Sequence, residues 1–444
     1  MSESIKRRKF IKIAGATGVG LGVMGSNAGF IKSLSLEKSV SVAIMGTNSR
    51  GNRLASGFAR HPNVTVSYIC DVDELAVKKG IEAVKEGGQT KVPKGVSDFR
   101  HALDDPSVDA IVIAAPVHWH APAAILALKA GKHVYLEKPC SYNPHEGELL
   151  VEAADRYNRV VQMGNQRRSW NNVVEGMQLL KEDIIGDTYY ARCWYASRRG
   201  SIGVGKSAAV PSNLDYDLWQ GPAPRKPYRD NVIHYNWHWF WHWGAGELLN
   251  NGTHFIDLAR WGLGVNYPTR VTSSGGRYHW KDDQQTPDTQ VVTYDFPEQK
   301  TVVWDARSCN PKRSEGSATG VSFHGKEGSM IVDGNGYTLY DNDNRELKVT
   351  KRESAEPLDT TGPGSDLDRD HLNNFIECIH EGKKPVSDIR DANISVHICH
   401  LGNIAHRTGQ VINCNTINGH ILNESEEINR LWRREYEPGW EPVV

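Results

Sequence analysis

The segment Gly46-Thr47-Asn48-Ser49-Arg50-Gly51 has the make-up of a turn that cradles phosphate. Glycine at 46 permits a tight reversal, and backbone N–H groups at a following helix start can face a pyrophosphate. Asp71 stands about 20 residues beyond Gly51, the separation at which a carboxylate accepts hydrogen bonds from an adenosine ribose. Asn48 replaces the middle glycine of the usual pattern; asparagine tolerates left-handed backbone better than most residues but is bulkier. The Asp71 carboxylate repels a 2′-phosphate and so favours NAD, while Arg50 and Arg53 near the turn leave NADP open.

Three further polar clusters carry groups able to do chemistry: Pro116-Val117-His118-Trp119-His120, Glu137-Lys138-Pro139 and Gly164-Asn165-Gln166-Arg167-Arg168. A fourth is aromatic. Four of the 13 tryptophans fall in Trp237-His238-Trp239-Phe240-Trp241-His242-Trp243. As a strand, this segment sets four indoles on one side and His238, Phe240 and His242 on the other; as a helix, His238 and His242 share a face. Indole packs well on the C–H faces of a pyranose while its N–H donates to hydroxyls, so His238, Trp239 and Trp243 are candidate sugar contacts. An aromatic core patch is the plainer reading. A metal site using His238 and His242 lacks an acidic residue or cysteine to complete it, so no metal is expected.

These groups need a scaffold that gathers them. The apolar runs Ser39–Met45, Val64–Cys70, Val108–Ala115, His133–Leu136 and Val160–Met163 read as buried parallel strands. Helical patterns separate them, through Ala59, at Pro122–Ala130 and at 144–157. Ligands of such sheets gather at the carboxyl ends of the strands, where each polar cluster lies. On this ground Gly46, Thr47, Asn48, Ser49, Arg50, Gly51, Asp71, Pro116, His118, His120, Glu137, Lys138 and Gln166 are the candidate cofactor residues.

The chain has 444 residues, 52 Lys+Arg and 53 Asp+Glu, a net charge of -1 that points to no nucleic acid. No run of about 18 apolar residues exists to span a membrane as a helix. The seven cysteines are widely spaced with no Cys-x-x-Cys pair, which speaks against a zinc ribbon or a redox motif. The N-terminus reads Lys6-Arg7-Arg8-Lys9-Phe10-Ile11, then a weakly hydrophobic stretch to Gly25 and small residues at Ser26-Asn27-Ala28. This is the layout of a twin-arginine export signal over 1–28, with the twin-arginine machinery as partner and the periplasm as destination.

Together, the glycine turn at 46–51, Pro116…His120, Ala130-Gly131-Lys132-His133-Val134…Glu137-Lys138-Pro139, and Gly246…Asn250…His254-Phe255-Ile256-Asp257 resemble the Gfo/Idh/MocA family. The segment Leu214-Asp215-Tyr216-Asp217-Leu218-Trp219-Gln220-Gly221-Pro222 is similar to an exported, sugar-associated branch of it. The resemblance implies an α/β fold: an N-terminal Rossmann domain with a doubly wound parallel sheet over 38–165, then an α/β domain with an open, mainly antiparallel sheet over 166–444. Stretches at Asp187–Tyr195, Thr269–Tyr278, Gln290–Phe296, Lys300–Arg307, Ser317–His324 and Ser329–Asp333 suit that sheet, and Asp368–Glu381 and Ile389–Thr408 read as its helices.

It also implies a catalytic pair, Lys138 and His254. A neutral histidine suits removal of a hydroxyl proton, and a lysine ammonium stabilises a developing alkoxide; the roles reverse if Lys138 is sufficiently desolvated. Asn250 stands where the inositol dehydrogenase pattern often has aspartate, and an amide orients a hydroxyl without taking its proton. Asp257, three residues after His254, is then expected to orient the imidazole, and Arg168 to lie near the substrate. Tyr195, Tyr235 and Asp288 are weaker candidates.

The expected enzyme is thus an exported NAD(P)-dependent oxidoreductase acting on a ring hydroxyl of a sugar or glycoside, with its cofactor tightly bound because the periplasm holds little free NAD. The alternative is an NAD-dependent glycoside hydrolase that oxidises, eliminates and re-reduces. The resemblance also implies a homo-oligomer formed through the open sheet.

Overall fold

The strand β1 (Val40–Met45) shows why the first half folds as it does. Every residue but one along it is buried, so both of its faces need cover, as in a sheet sandwiched by helices. In a computed structural model, which describes residues 39–334, 336–350, 365–423 and 425–444, that cover is present. Val40, Val42 and Ile44 pack on Leu54, Ala55 and Phe58 of α1 (Arg50–Ala59). Ala43 and Met45 face the other way.

The strands β2 (Val64–Cys70), β3 (Lys94–Val96), β4 (Ala110–Ile113), β5 (His133–Leu136) and β6 (Val161–Met163) complete a parallel sheet of order β3-β2-β1-β4-β5-β6. The order reverses at β1, between β2 and β4, and the crevice beyond the carboxyl ends is where such sheets bind ligands. The helices α2 (Glu74–Glu86), α3 (Val117–Lys129) and α4 (Pro144–Tyr157) make the crossovers. The sequence places the third helix from Pro122; it starts at Val117, with Pro122 inside it.

The second sheet has nine strands: β7 (Thr188–Ala196), β8 (Arg270–Gly276), β9 (Thr289–Phe296), β10 (Lys300–Arg307), β11 (Thr319–Gly325), β12 (Gly328–Asp333), β13 (Gly336–Asp341), β14 (Glu346–Thr350) and β15 (Ile412–Asn413). Their order is β14-β13-β12-β11-β7-β10-β9-β8-β15, antiparallel at every described pairing except β10 with β7. One face carries α5 (Asn171–Lys181), α6 (Thr253–Leu263) and α8 (Ile389–Thr408). The remaining long helix, α7 (Ser365–Glu381), leaves this sheet. Its Leu372, Phe375 and Ile376 pack with Phe58 and Tyr135 beneath the parallel sheet. Residues 39–444 make one compact unit. The export signal read over 1–28 lies outside the described residues.

The seven cysteines are free and buried. The aromatic segment is neither strand nor helix of any length: Asn236–Trp239 forms a 3-10 turn and Phe240 onward runs as turns.

Candidate active site

A cavity of about 940 Å³ runs along the carboxyl edge of the parallel sheet and on to the second sheet. Its first stretch is the glycine turn. Gly46 has φ +84, and a Cβ there would lie 2.6 Å from the Ala115 nitrogen. A Cβ on Gly51 would lie 1.8 Å from the Gly46 carbonyl oxygen. Both glycines are therefore required by close approach, leaving the turn open in front of the N-terminus of α1. Asn48 and Ser49 line the cavity, and the Asn48 side-chain oxygen accepts from Lys79 Nζ at 2.9 Å. Thr47 and Gly51 do not line it. Thr47 is buried, and its Oγ1 donates to the Ala76 carbonyl at 2.8 Å, so it braces the turn.

Asp71 ends β2 at the cavity wall. Its Oδ2 accepts from the Thr47 backbone N–H at 2.6 Å and its Oδ1 from that of Asp73 at 3.0 Å. Burial raises its carboxyl pKa, and the two N–H donors work against that. Arg50 does not serve as a free cation beside it. Its Nε donates to Glu137 at 2.8 Å and its two terminal nitrogens to Asp368, each at 2.7 Å. A guanidinium held by two carboxylates is poorly placed to neutralise a 2′-phosphate, which weighs toward NAD.

The polar clusters divide. Pro116 and His120 line the cavity, with the His120 ring nitrogens 2.6 Å from the Pro139 carbonyl and 2.7 Å from that of Ala115, tying the ends of β4 and β5 together. His118 does not line it: it is buried with Nε2 2.9 Å from the Trp219 carbonyl, and burial pulls its pKa down to about 3. Glu137 and Gln166 line it and are bonded to one another at 3.2 Å. Burial would raise the Glu137 carboxyl, but Arg50 and then Lys138 outweigh burial and hold it below the usual range.

At the middle of the cavity, Lys138, Asn250 and His254 converge from the end of β5 and the start of α6. Lys138 Nζ donates to the Asn250 carbonyl at 2.7 Å and to its side-chain oxygen at 3.2 Å. Asn250 sits in a π-helical turn, Leu248–Gly252, that feeds α6, and such turns often mark functional positions. Burial is the main cause that lowers the Lys138 pKa to about 8; Glu137 opposes it and Arg50 reinforces it. His254 is driven well below its ordinary pKa, first by burial and then by Arg167, Lys138 and Arg50. Its Nδ1 is buried without a hydrogen-bond partner among the described residues. The imidazole is thus neutral and weakly basic, while the lysine gains and loses its proton near neutral pH.

Asp257 does not orient that imidazole. It accepts from Arg168 at 2.8 and 2.7 Å and from Ser395 Oγ at 2.7 Å, and Arg168 also reaches Asp391 at 2.7 Å. Neither Arg168 nor Asp257 lines the cavity; the pair pins α6 to the end of β6. Arg167, one residue earlier, takes the wall position instead. Without Asp257, Arg168 keeps Asp391, but two of its N–H donors and the Ser395 hydroxyl lose their acceptor. Asp257→Ala is therefore expected to destabilise the fold by about 1–3 kcal/mol in chemical denaturation.

The tryptophans are redistributed. Trp239 and Trp243 are core residues outside the cavity lining; half-buried His242 also lies outside it, its Nε2 2.8 Å from the Pro224 carbonyl. His238 and Trp237 do line it, their rings stacked 3.6 Å apart, as do Trp119, Trp170 and Trp219. Among the described residues no three His, Cys, Asp or Glu side chains converge as a metal site would require. Asp288 serves a turn, accepting from the backbone N–H groups of Tyr278 and His279 at 2.9 and 3.0 Å.

Arg199 and Glu247 were not evident from sequence. Arg199 lines the cavity, pairs with buried Glu247 at 2.7 Å and donates to Tyr195 and Tyr235, each at 3.0 Å. Glu247 in turn accepts from Asn250 Nδ2 at 3.4 Å and from Asn251 Nδ2. The signal was present in part: Glu247 stands one helical turn before Asn250.

The model for an oxidoreductase family with an NAD-binding Rossmann fold matches residues 40–165, and that for the C-terminal α/β domain of the same family matches 205–414. The chain belongs to the Gfo/Idh/MocA family. Residues 40–165 are its NAD-binding Rossmann domain. A curated relative in Saccharopolyspora erythraea, called a glycosyl hydrolase family 109 protein, is 28% identical over 47% of this chain and 55% of its own length. An α-N-acetylgalactosaminidase of Shewanella oneidensis is 24% identical over 43% of this chain and 46% of its own length. The chain thus spans about half the length of these curated relatives. Levoglucosan dehydrogenase, solved with NADH, shares the fold at a TM-score of 0.66 and 18% identity, over 86% of this chain and 100% of that one. NAD fits what the Gfo/Idh/MocA chain offers here: the turn that a Cβ at 46 would close, the N-terminus of α1, and Asp71 at the cavity wall.

Proposed function

We propose that the protein is an exported, NAD-dependent oxidoreductase that acts on a ring hydroxyl of a sugar or glycoside, holding its cofactor tightly through the reaction. The observation that carries this is the single cavity joining the Gly46 turn to Lys138, Asn250 and His254. Bound there, NAD supplies a hydride acceptor for the carbon bearing the hydroxyl.

The residues then divide the work. A base with pKa near the working pH transfers protons best, so Lys138 in its neutral form takes the hydroxyl proton. This reverses the roles first favoured from sequence, because His254 is too weak a base. The neutral imidazole orients the hydroxyl, and Asn250 fixes the amine. Trp170, Trp219 and Trp237 border the cavity and supply apolar surface for the C–H groups of a pyranose. The sign of the pH dependence follows: below about 8 Lys138 is protonated and cannot accept. The rate of sugar oxidation is expected to rise about tenfold per pH unit below that value and level off above it, checked by initial rates across pH. An acid limb well below 6.5 would return the base role to His254.

A second reading, NAD-dependent glycoside cleavage, is favoured by the names of the curated relatives and begins from the same hydroxyl oxidation. One experiment separates them: the purified protein is mixed with a glycoside panel, absorbance is followed near ~340 nm, and products are analysed. A keto-sugar supports the oxidoreductase; free sugar without net NADH supports the hydrolase; neither, with any member, defeats both. The cleavable signal is tested by the mass of the N-terminus of protein from native periplasm, where an intact Met1 would contradict it. Assembly through the open face of the nine-stranded sheet is tested by light scattering.

A further inference from the structure

Arg167 differs from the other arginines around the catalytic centre. Arg50 is held by Glu137 and Asp368, Arg168 by Asp257 and Asp391, and Arg199 by Glu247. The Arg167 guanidinium has no carboxylate and no hydrogen-bond acceptor among the described residues. It is clamped between two rings, 5.3 Å from Trp170 and 4.9 Å from Phe255, on the cavity wall. Burial lowers its pKa to about 10, with no anion to offset the loss of water. A half-buried cation that lines the cavity without a protein counter-ion is placed to take one from a ligand.

The cofactor's own anions do not reach it. The pyrophosphate cradle lies at the end of β1, and Arg167 follows β6, three strands away in the order β1-β4-β5-β6. At strand spacing that is roughly 14 Å. The nicotinamide ring, the end of the cofactor that must sit beside Lys138, carries no negative charge. The remaining occupant of the cavity is the substrate, next to His254, on which Arg167 is the strongest charged influence.

We propose that Arg167 binds an oxyanion on the substrate, so that the enzyme acts on acidic sugars, carrying a carboxylate or a sulfate ester, in preference to neutral ones. A planar guanidinium with five donors in a fixed fork matches either group bidentately. This rests on the sugar-oxidoreductase reading above and narrows its substrate class.

The test uses matched pairs: methyl glucuronide against methyl glucoside, methyl galacturonide against methyl galactoside, and methyl glucoside 6-sulfate as the sulfate arm. Tryptophan fluorescence gives the Kd for each, and absorbance near ~340 nm gives turnover. At least one acidic member is expected to bind about 10- to 100-fold tighter than its neutral partner, the range for a charge-assisted pair. The carboxylate and sulfate arms tell which anion is preferred. Arg167→Ala is expected to abolish that preference, so that acidic and neutral members bind alike, and Arg167→Lys to keep part of it. Equal binding of acidic and neutral members, or an Arg167→Ala loss shared alike by both, overturns the proposal. In that event turnover of neutral sugars leaves the hydride reading standing. Absence of turnover with every member brings that reading down as well.

Discussion

Lys138→Met is expected to lower kcat by about 10³-fold, within the range for loss of a general base, while leaving bound NAD in place. The lysine lies at the end of β5 with its Nζ on Asn250, and the glycine turn that receives the phosphates is on β1, two strands away. The loss therefore belongs in the chemical step and not in cofactor affinity. Lys138→Arg sharpens the point. Arginine keeps the charge but does not give up its proton in proteins. If Lys138 is the base, the arginine variant is as inactive as the methionine variant. If it works only as a cation polarising the hydroxyl, the arginine variant retains much of the rate and His254 must take the proton. Single-turnover absorbance with NAD-loaded protein measures both variants on one scale.

Gly46→Val acts at the other end of the cavity and by a different cause. At φ +84 a β-branched residue is strained, and its Cβ would press within 2.6–2.8 Å of backbone atoms of Ala114 and Ala115. Those atoms follow β4, paired directly with β1, so they cannot swing aside as a flexible side chain would. The expected cost is roughly 2–5 kcal/mol in chemical denaturation, strain and overpacking together, with loss of NAD binding by more than about 100-fold. Fluorescence titration with NADH, beside a urea melt, measures both. A variant that binds NAD normally would remove the turn from the cofactor site.

Much of the parallel sheet is legible in sequence because strands buried on both faces leave long apolar runs. Val64–Cys70 and His133–Leu136 are bounded in the structure as they read in the chain. The edge strands are not legible for the same reason: Lys94–Val96 is short and partly exposed, and Glu346–Thr350 is mostly so. The helix Ser365–Glu381 can be read as a helix, but its place beneath the first sheet depends on contacts of Phe375 with Phe58 and Tyr135, 317 and 240 residues earlier in the chain.

In the site, the glycine turn, Asp71 and the Lys138, Asn250 and His254 group follow from local pattern or from family resemblance. What sequence order does not give is which of two adjacent residues faces the cavity. Arg167 and Arg168 read alike, yet a 3-10 turn at Gln166–Ser169 sends one to the wall and the other to Asp257. The aromatic segment misleads because density of indoles signals both a sugar platform and a core, and here the 3-10 turn Asn236–Trp239 puts Trp237 and His238 on the cavity and Trp239 in the core.

The central claim is that one cavity brings a sugar carbon to the nicotinamide for hydride transfer. The most direct measurement offers NAD-loaded protein a ring-deuterated sugar from the panel and finds where the deuterium goes by mass spectrometry of the released cofactor. Deuterium is expected on the nicotinamide of the reduced cofactor, and is expected to be absent with Lys138→Met. Reduced cofactor without the label, or product formed with no label ever reaching the cofactor, would contradict it.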